Sequence, residues 1–156
     1  MSSQQQLIDA LGLLPHPEGG FYKETYRSEL TLEGQERNLL TSIYFLLTSE
    51  NVSRFHRIKS DELWYFHAGS PLIVHTLSER GHMQHYLGLD LSKGQQPFLW
   101  IPKDTIFGST VLEKESFSLV SCAVAPGFDF RDFELFERPE LLAAYPDHSE
   151  IVERLT

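Results

Sequence analysis

The sequence has little of what several common classes of protein depend on. Cys122 is the one cysteine among 156 residues, which excludes an internal disulfide framework and a cysteine-rich zinc site. The 22 acidic residues outnumber the 13 Lys and Arg, and the formal net charge of −9 would repel a nucleic-acid backbone. No apolar run approaches the roughly 18 residues of a membrane-spanning helix, and the start lacks the regions of a secretory signal. We therefore expect a cytoplasmic protein that binds neither nucleic acid nor membrane.

What the sequence does contain is typical of an ordinary globular domain with a β-rich interior. Hydrophobic residues make up 41% of the chain and charged residues 22%. Aromatic residues reach 12%, and such side chains pack well on a pleated sheet. A chain of this length fits a single domain, 1–156.

Helical patterns are confined to the two ends of the chain. Leu7, Ile8 and Leu11 share one face of a short helix, with Ser2 or Ser3 as its N-cap and Gly12 after its last turn. Near the C-terminus, Arg-Pro-Glu at 138–140 begins another helix, Pro146 interrupts it, and an amphipathic turn follows.

Between the ends, apolar and polar residues alternate with period two, which is typical of strands with two unlike faces. Turn residues separate these segments, and no helical pattern lies between them, so a sandwich or barrel is favoured over a parallel βαβ sheet. The predicted strands are 20–28, 39–48, 52–58, 62–67, 71–77, 83–89, 97–101, 106–112 and 117–125.

The most informative pair is His56 and Glu62, at the facing ends of two predicted strands. A tight turn between the strands would bring the two side chains together. A histidine beside a carboxylate can bind a metal or move a proton, and an apolar wall shifts both pKa values. We predict His56 as a base and Glu62 as the group that orients it or acts as an acid. The alternative is a buried pair that only braces two strands.

Other residues are candidates for binding a ligand beside this pair. Arg54 shares a face with His56 and could anchor an anion, although an exposed rim arginine fits as well. Tyr44 is one of four tyrosines that could act as an acid, with Tyr22, Tyr26 and Tyr65. His16 lies between two prolines and is interpreted as a loop residue. The predicted aromatic wall of the pocket consists of Trp64, Phe66, Trp100 and Phe107.

The segment from 50 to 69 resembles the first motif of the cupin superfamily, which reads Gly, five residues, His-x-His, three or four residues, Glu, six residues, Gly. The chain matches at His56, Glu62 and Gly69. It departs at Ile58, where the family has its second histidine ligand, and at Glu50, where the family has a leading glycine.

The second cupin motif, Gly, five residues, Pro-x-Gly, two residues, His, aligns with Gln96, Pro102, Asp104 and Phe107, of which only the proline matches. Two of the four metal-ligand positions are therefore apolar. We predict no metal and no cofactor. A metal would need His67 or His75 to turn inward.

Three flanking segments, at 14–22, 61–64 and 124–130, resemble the fifth cupin family, whose small proteins are largely uncharacterised. This resemblance implies an all-β double-stranded β-helix, or jelly-roll barrel, with short terminal helices. It also implies a homodimer, in which the strand at 20–28 would be a covered edge. The chain is similar in outline to sugar-nucleotide 3,5-epimerase cupins, which work without metal through a His base and a Tyr acid.

Two functions remain open at this point. One is a metal-independent isomerase or epimerase acting on a polar, sugar-like metabolite. The other is a non-catalytic module that binds such a metabolite, and a metal-dependent enzyme is a weaker third. Proton abstraction beside a carbonyl needs a base, an acid and a donor to the enolate oxygen, and the residue types for these roles are present.

Overall fold

A computed structural model describes residues 3–156 as two antiparallel sheets with short helices at the ends. The helices are α1 (Ser3–Leu11), α2 (Arg138–Ala144) and α3 (Ser149–Arg154). The strands are β1 (Leu14–Pro15), β2 (Phe21–Arg27), β3 (Thr41–Thr48), β4 (Val52–Arg57), β5 (Asp61–Gly69), β6 (Leu72–Ser78), β7 (Gly81–Leu87), β8 (Phe98–Ile101), β9 (Ile106–Val111), β10 (Phe117–Ala125) and β11 (Glu134–Leu135).

The two sheets face each other as in a jelly roll. The first has the strand order β1-β2-β3-β10-β5-β8 and the second β11-β4-β9-β6-β7. Strands β4 and β5 are consecutive in the chain but belong to different sheets, so the connection at residues 58–60 crosses the barrel. His56 and Glu62 therefore approach each other from opposite walls.

The core divides into an interior cluster between the sheets and two outer clusters, of which the one around Leu46 packs α1 against the first sheet. The interior cluster includes Phe45, Trp64, Val74 and Phe107, all less than 3% exposed. The other outer cluster packs the C-terminal helices against the outer face of the second sheet, around Phe55. Since the sheet is covered on both faces there, the central strands β6 and β9 are buried along nearly their whole length.

The structure confirms the all-β fold class and the nine predicted strands, each of which ends within two residues of its predicted bounds. The short terminal helices are also confirmed, and Gly12 follows α1 with a φ of 64°. Ser3 is helical rather than a cap, and Ser2 lies outside the described residues. Between residues 3 and 156, no helix is both long enough and apolar enough to cross a membrane.

Candidate functional site

A cavity of about 440 Å³ lies between the two sheets. Strands β2, β3, β5 and β10 form one wall, and His56 on β4 comes from the opposite sheet. The loop before β2 and the segment 128–133 after β10 complete the lining. The volume is in the range of small-molecule sites.

His56 is paired with a carboxylate that the sequence analysis did not identify. Its Nε2 lies 2.7 Å from Oε2 of Glu18, and its Nδ1 donates to the carbonyl oxygen of Arg54 at 2.6 Å. Both side chains are buried. Burial opposes charge on either group, but the Glu18 carboxylate raises the pKa of His56, and the imidazolium in turn lowers the pKa of Glu18. We assign an imidazolium–carboxylate pair in which both ring nitrogens of His56 donate.

Glu18 reaches His56 because a tight loop at residues 16–20 folds into the barrel. The backbone N–H of Arg54 donates to the carbonyl oxygen of Glu18 at 2.8 Å, and the Arg54 guanidinium donates to that of Pro17. Gly19 has a φ of 114°, and a Cβ atom there would lie 2.0 Å from the carbonyl oxygen of Val52. Only glycine fits this approach.

Gly19→Ala should therefore destabilise the fold by about 2 kcal/mol more than Gly34→Ala, because a residue held in a glycine-only conformation adds about 1–3 kcal/mol of strain. Gly34 also has a positive φ, 75°, but a Cβ there meets nothing within 4 Å. Urea denaturation of both variants measures the difference. Equal losses would show that the close approach at Gly19 is unimportant.

Glu62 is the carboxyl group in the cavity that has no cationic partner. It is 8% exposed and lies on β5, facing the His56–Glu18 pair. Burial, reinforced by the nearby Glu18 carboxylate, raises the pKa of Glu62 to about 7, against smaller opposing effects of His56 and of a hydrogen bond with the Cys122 thiol. A carboxyl group with a pKa near neutrality can both take and return a proton.

His16 lines the same cavity as a neutral hydrogen-bond donor. The backbone N–H of Glu18 donates to its Nδ1 at 3.1 Å, and burial lowers its pKa. The ring proton of the neutral form is therefore on Nε2. Within residues 3–156 nothing accepts that proton, so it is available to a ligand.

Three phenylalanines after β10, at positions 128, 130 and 133, provide the aromatic part of the lining. The ring centroids of Phe128 and Phe130 lie 4.8 Å apart, and those of Phe130 and Phe133 6.0 Å apart. Ion pairs hold this segment in place, notably Arg37 with Asp132 at 2.7 Å. The aromatic wall is therefore fixed by charges outside the cavity.

The residues predicted to form that wall do not line the cavity. Trp64, Phe66 and Phe107 pack in or against the interior core, and the Phe107 ring lies behind His56 with centroids 4.2 Å apart. Trp100 pairs with Leu63 on the outer face and is 58% exposed. The alternation along β5 predicts the correct face for Trp64 and Phe66, but both lie deeper in the barrel than Glu62.

Tyr44 and Arg54 also lie outside the cavity lining. Tyr44 packs on the side of the first sheet covered by α1, where its ring meets His67. Arg54 holds the loop before β2 through its bond to Pro17. Among the four candidate tyrosines, Tyr22 is the one that lines the cavity.

The donor set does not fit a cupin metal centre. Ile58 and Phe107, at two of the four ligand positions, are 4% and 1% exposed and have no donor atom. Both nitrogens of His56 are already bonded. Among the described residues, no group of three His, Cys, Asp or Glu side chains is arranged to hold a metal ion.

The two histidines that a metal centre would need, His67 and His75, point away from the cavity and bond elsewhere. His67 lies 2.5 Å from the Ser121 hydroxyl, and His75 bonds with Thr110 and His82. We expect elemental analysis of dialysed protein to find far less than one transition-metal ion per chain. Close to one Mn, Fe, Ni or Zn ion per chain would contradict this.

Comparison with known proteins agrees with the motif. The profile described as cupin superfamily (DUF985) matches residues 5–136. The chain belongs to this cupin family. An uncharacterized protein of Saccharomyces cerevisiae, YML079W, is 32% identical over 148 residues, which cover 84% of this chain and 74% of the yeast protein.

Solved structures of other proteins show the same fold. Protein SO0799 from Shewanella oneidensis is 47% identical with a TM-score of 0.94, over 100% of this chain and 98% of that one. A hypothetical protein from Leishmania major is 36% identical with a TM-score of 0.92, over 99% of both chains. Oxalate decarboxylase from Bacillus subtilis is 16% identical with a TM-score of 0.57, over 91% of this cupin and 37% of that enzyme, and this likeness concerns the fold alone.

Proposed function

We propose that this cupin binds a small polar molecule in the cavity and moves a proton on it without a metal ion, as an isomerase or epimerase does. The observation that carries the proposal is Glu62, a buried carboxyl group that faces the cavity and has no cationic partner. The predicted base, His56, donates through both ring nitrogens and has no lone pair available. Glu62 therefore takes the role of the base.

The proposed step removes a proton from a carbon beside a carbonyl group. The Glu62 carboxylate accepts this proton, and the electrons of the C–H bond form an enolate. The Nε2–H of His16 donates to the enolate oxygen, where a neutral imidazole stabilises charge without prior ionisation. The carbon is then reprotonated either by Glu62 or, on another face, by the phenol of Tyr22, and these groups restore their protonation states with water.

The His56–Glu18 pair has a supporting role in this scheme. The Glu18 carboxylate contributes to the raised pKa of Glu62, and the same loop supplies the backbone N–H that fixes the tautomer of His16. The pair and its loop thus influence both Glu62, which would take the proton, and His16, which would donate to the enolate oxygen.

Hydrogen exchange with solvent tests the proposal. Sugars, amino sugars and amino acids that raise the melting temperature would be incubated in D₂O, and loss of C–H signals followed by NMR. The ligand should exchange its hydrogen at equal rates with the wild type and with the control Glu113→Gln, which changes an exposed carboxylate. Glu62→Gln should slow exchange by about 100-fold or more, the usual contribution of a general base.

A non-catalytic binding module is the second candidate, and the full engagement of His56 favours it. In that case ligands would stabilise the protein, but no C–H signal would be lost in D₂O. That result would refute proton transfer and leave the cavity as a binding site.

We further propose a cytoplasmic homodimer. β1 covers only the first two residues of β2, which leaves the rest of that strand's edge open to a second chain. Light scattering at micromolar concentration should give the dimer mass. A monomer mass would refute this.

A further inference from the structure

We propose that the ligand of this cavity carries a positively charged amine and neither a phosphate nor a carboxylate. The inference rests on the proposed function for the choice of site and names the chemical class of the molecule that binds there. Unpaired negative charge and aromatic faces together support it.

The charges that line the cavity are paired, except for that of Glu62. The two cations that line the cavity are already paired with other carboxylates: His56 with Glu18 at 2.7 Å, and Arg27 with Glu24 at 2.5 Å. Arg27 also donates to Asn38 at 2.7 Å. An anionic ligand would find no free cation here, whereas an ammonium group would find the Glu62 carboxylate.

Asp129 does not change this balance, because its carboxylate is held by Arg131 at 2.9 Å. Asp129 and its partner belong to the segment that carries the three phenylalanines. The charge balance of the lining therefore leaves Glu62 as the group whose ionised form lacks a cation, and a buried unpaired charge is strongly destabilising unless a proton or a cationic ligand neutralises it.

Aromatic faces provide the second part of the site. Phe128, Phe130 and Phe133 line the cavity, and His16 stacks edge-on with Tyr22 at 4.6 Å between centroids. The faces of such rings attract a cation electrostatically, and the attraction is stronger where water is excluded. A ring wall beside one unpaired carboxylate suits an ammonium group on an otherwise uncharged molecule.

Three polyol probes of matched shape and different charge test the proposal: glucamine, which is cationic, sorbitol, which is neutral, and gluconate, which is anionic. Dissociation constants would be measured by NMR titration of the intact protein. Phenethylamine and 3-phenylpropanoate form a second pair. We expect each amine to bind at least about tenfold more tightly than its acid counterpart, a difference of about 1.4 kcal/mol.

Variants and the pH dependence of binding test whether Glu62 and the phenylalanines cause the preference for amines. Glu62→Gln should weaken binding of the amines about tenfold or more and leave sorbitol unchanged. Phe130→Ala should weaken it, whereas Phe98→Ala, an exposed aromatic on the outer face, should not. Amine affinity should rise as the pH increases through about 7, the pKa to which burial and the Glu18 carboxylate raise Glu62 against the smaller lowering effects of His56 and Cys122.

The proposal is overturned if neither amine binds, if the acids or sorbitol bind as tightly as the amines, or if Glu62→Gln leaves amine affinity unchanged. These titrations need no reaction. Neither probe amine has a C–H bond beside a carbonyl, so amine binding can succeed where proton transfer fails. An amino sugar that binds without losing its C–H signals in D₂O would refute proton transfer and support this inference.

Discussion

Replacing His56 by alanine is expected to lower the free energy of unfolding by about 3–5 kcal/mol, the loss typical when one partner of a buried ion pair is removed. Glu18 would then be left buried with no cation at 2.7 Å from its carboxylate. Urea denaturation of wild type and variant at about pH 6 measures this loss.

Two further variants distinguish the loss of the His56–Glu18 ion pair from a nonspecific loss of stability. Glu134→Gln, which breaks the exposed ion pair with Arg57, should lower stability by less than about 1 kcal/mol. The double variant His56→Ala/Glu18→Gln should lose less stability than the two single variants together, because no unpaired Glu18 charge remains buried. A His56→Ala loss no larger than that of Glu134→Gln would show that the pair does not hold the loop.

The pH dependence of this contribution follows from the two pKa directions. The raised pKa of His56 stabilises the fold below the unfolded value of 6.5, and this part is lost as the pH rises through the folded pKa. The lowered pKa of Glu18 stabilises above 4.5, and this part is lost as the pH falls through the folded pKa. The pair therefore contributes fully between these two values.

Glu62→Gln is expected to have the opposite effect and stabilise the protein above about pH 7. Burial of the charged carboxylate makes its ionisation unfavourable in the folded state, and a pKa raised from 4.5 to about 7 corresponds to roughly 3 kcal/mol. Since the folded state holds this proton more tightly than the unfolded state, wild-type stability falls as the pH rises from 4.5 to 7. Glutamine does not ionise and removes that decline.

The control for this gain is Glu113→Gln, which should change stability little at any pH. Comparison of unfolding free energies at about pH 5 and pH 8 separates the outcomes. A Glu62→Gln variant that is no more stable than wild type at the higher pH would contradict a buried, unpaired carboxylate. A gain in stability together with slower hydrogen exchange is the trade-off expected of a working site.

The strands could be predicted because most of their side chains alternate between unlike environments. On β5, Glu62 and Trp64 face inward while Tyr65 faces out, and the sequence shows this period directly. The depth of each side chain could not be predicted the same way. Parity fixes the face of a strand, but the distance of Trp64 and Phe107 from the cavity depends on how the two sheets close.

The candidate site was predicted in part. His56 and Glu62 were found through motif spacing, and both line the cavity. Glu18 was missed because its partner is 38 positions away, and a Pro-x-Gly-Gly loop usually indicates an exposed turn. The signal that could have found it is the Gly19-Gly20 pair, since adjacent glycines permit a close approach of backbone to backbone.

A ¹³C NMR titration of the side-chain carboxyl carbons tests the central claim, that Glu62 is the proton-carrying group of the cavity. One carboxyl resonance should titrate near the pKa of about 7, and it should be absent from the spectrum of Glu62→Gln and present in that of Glu113→Gln. If Glu62 instead titrates near its ordinary value of 4.5, it is a solvated carboxylate and the proposed role is wrong.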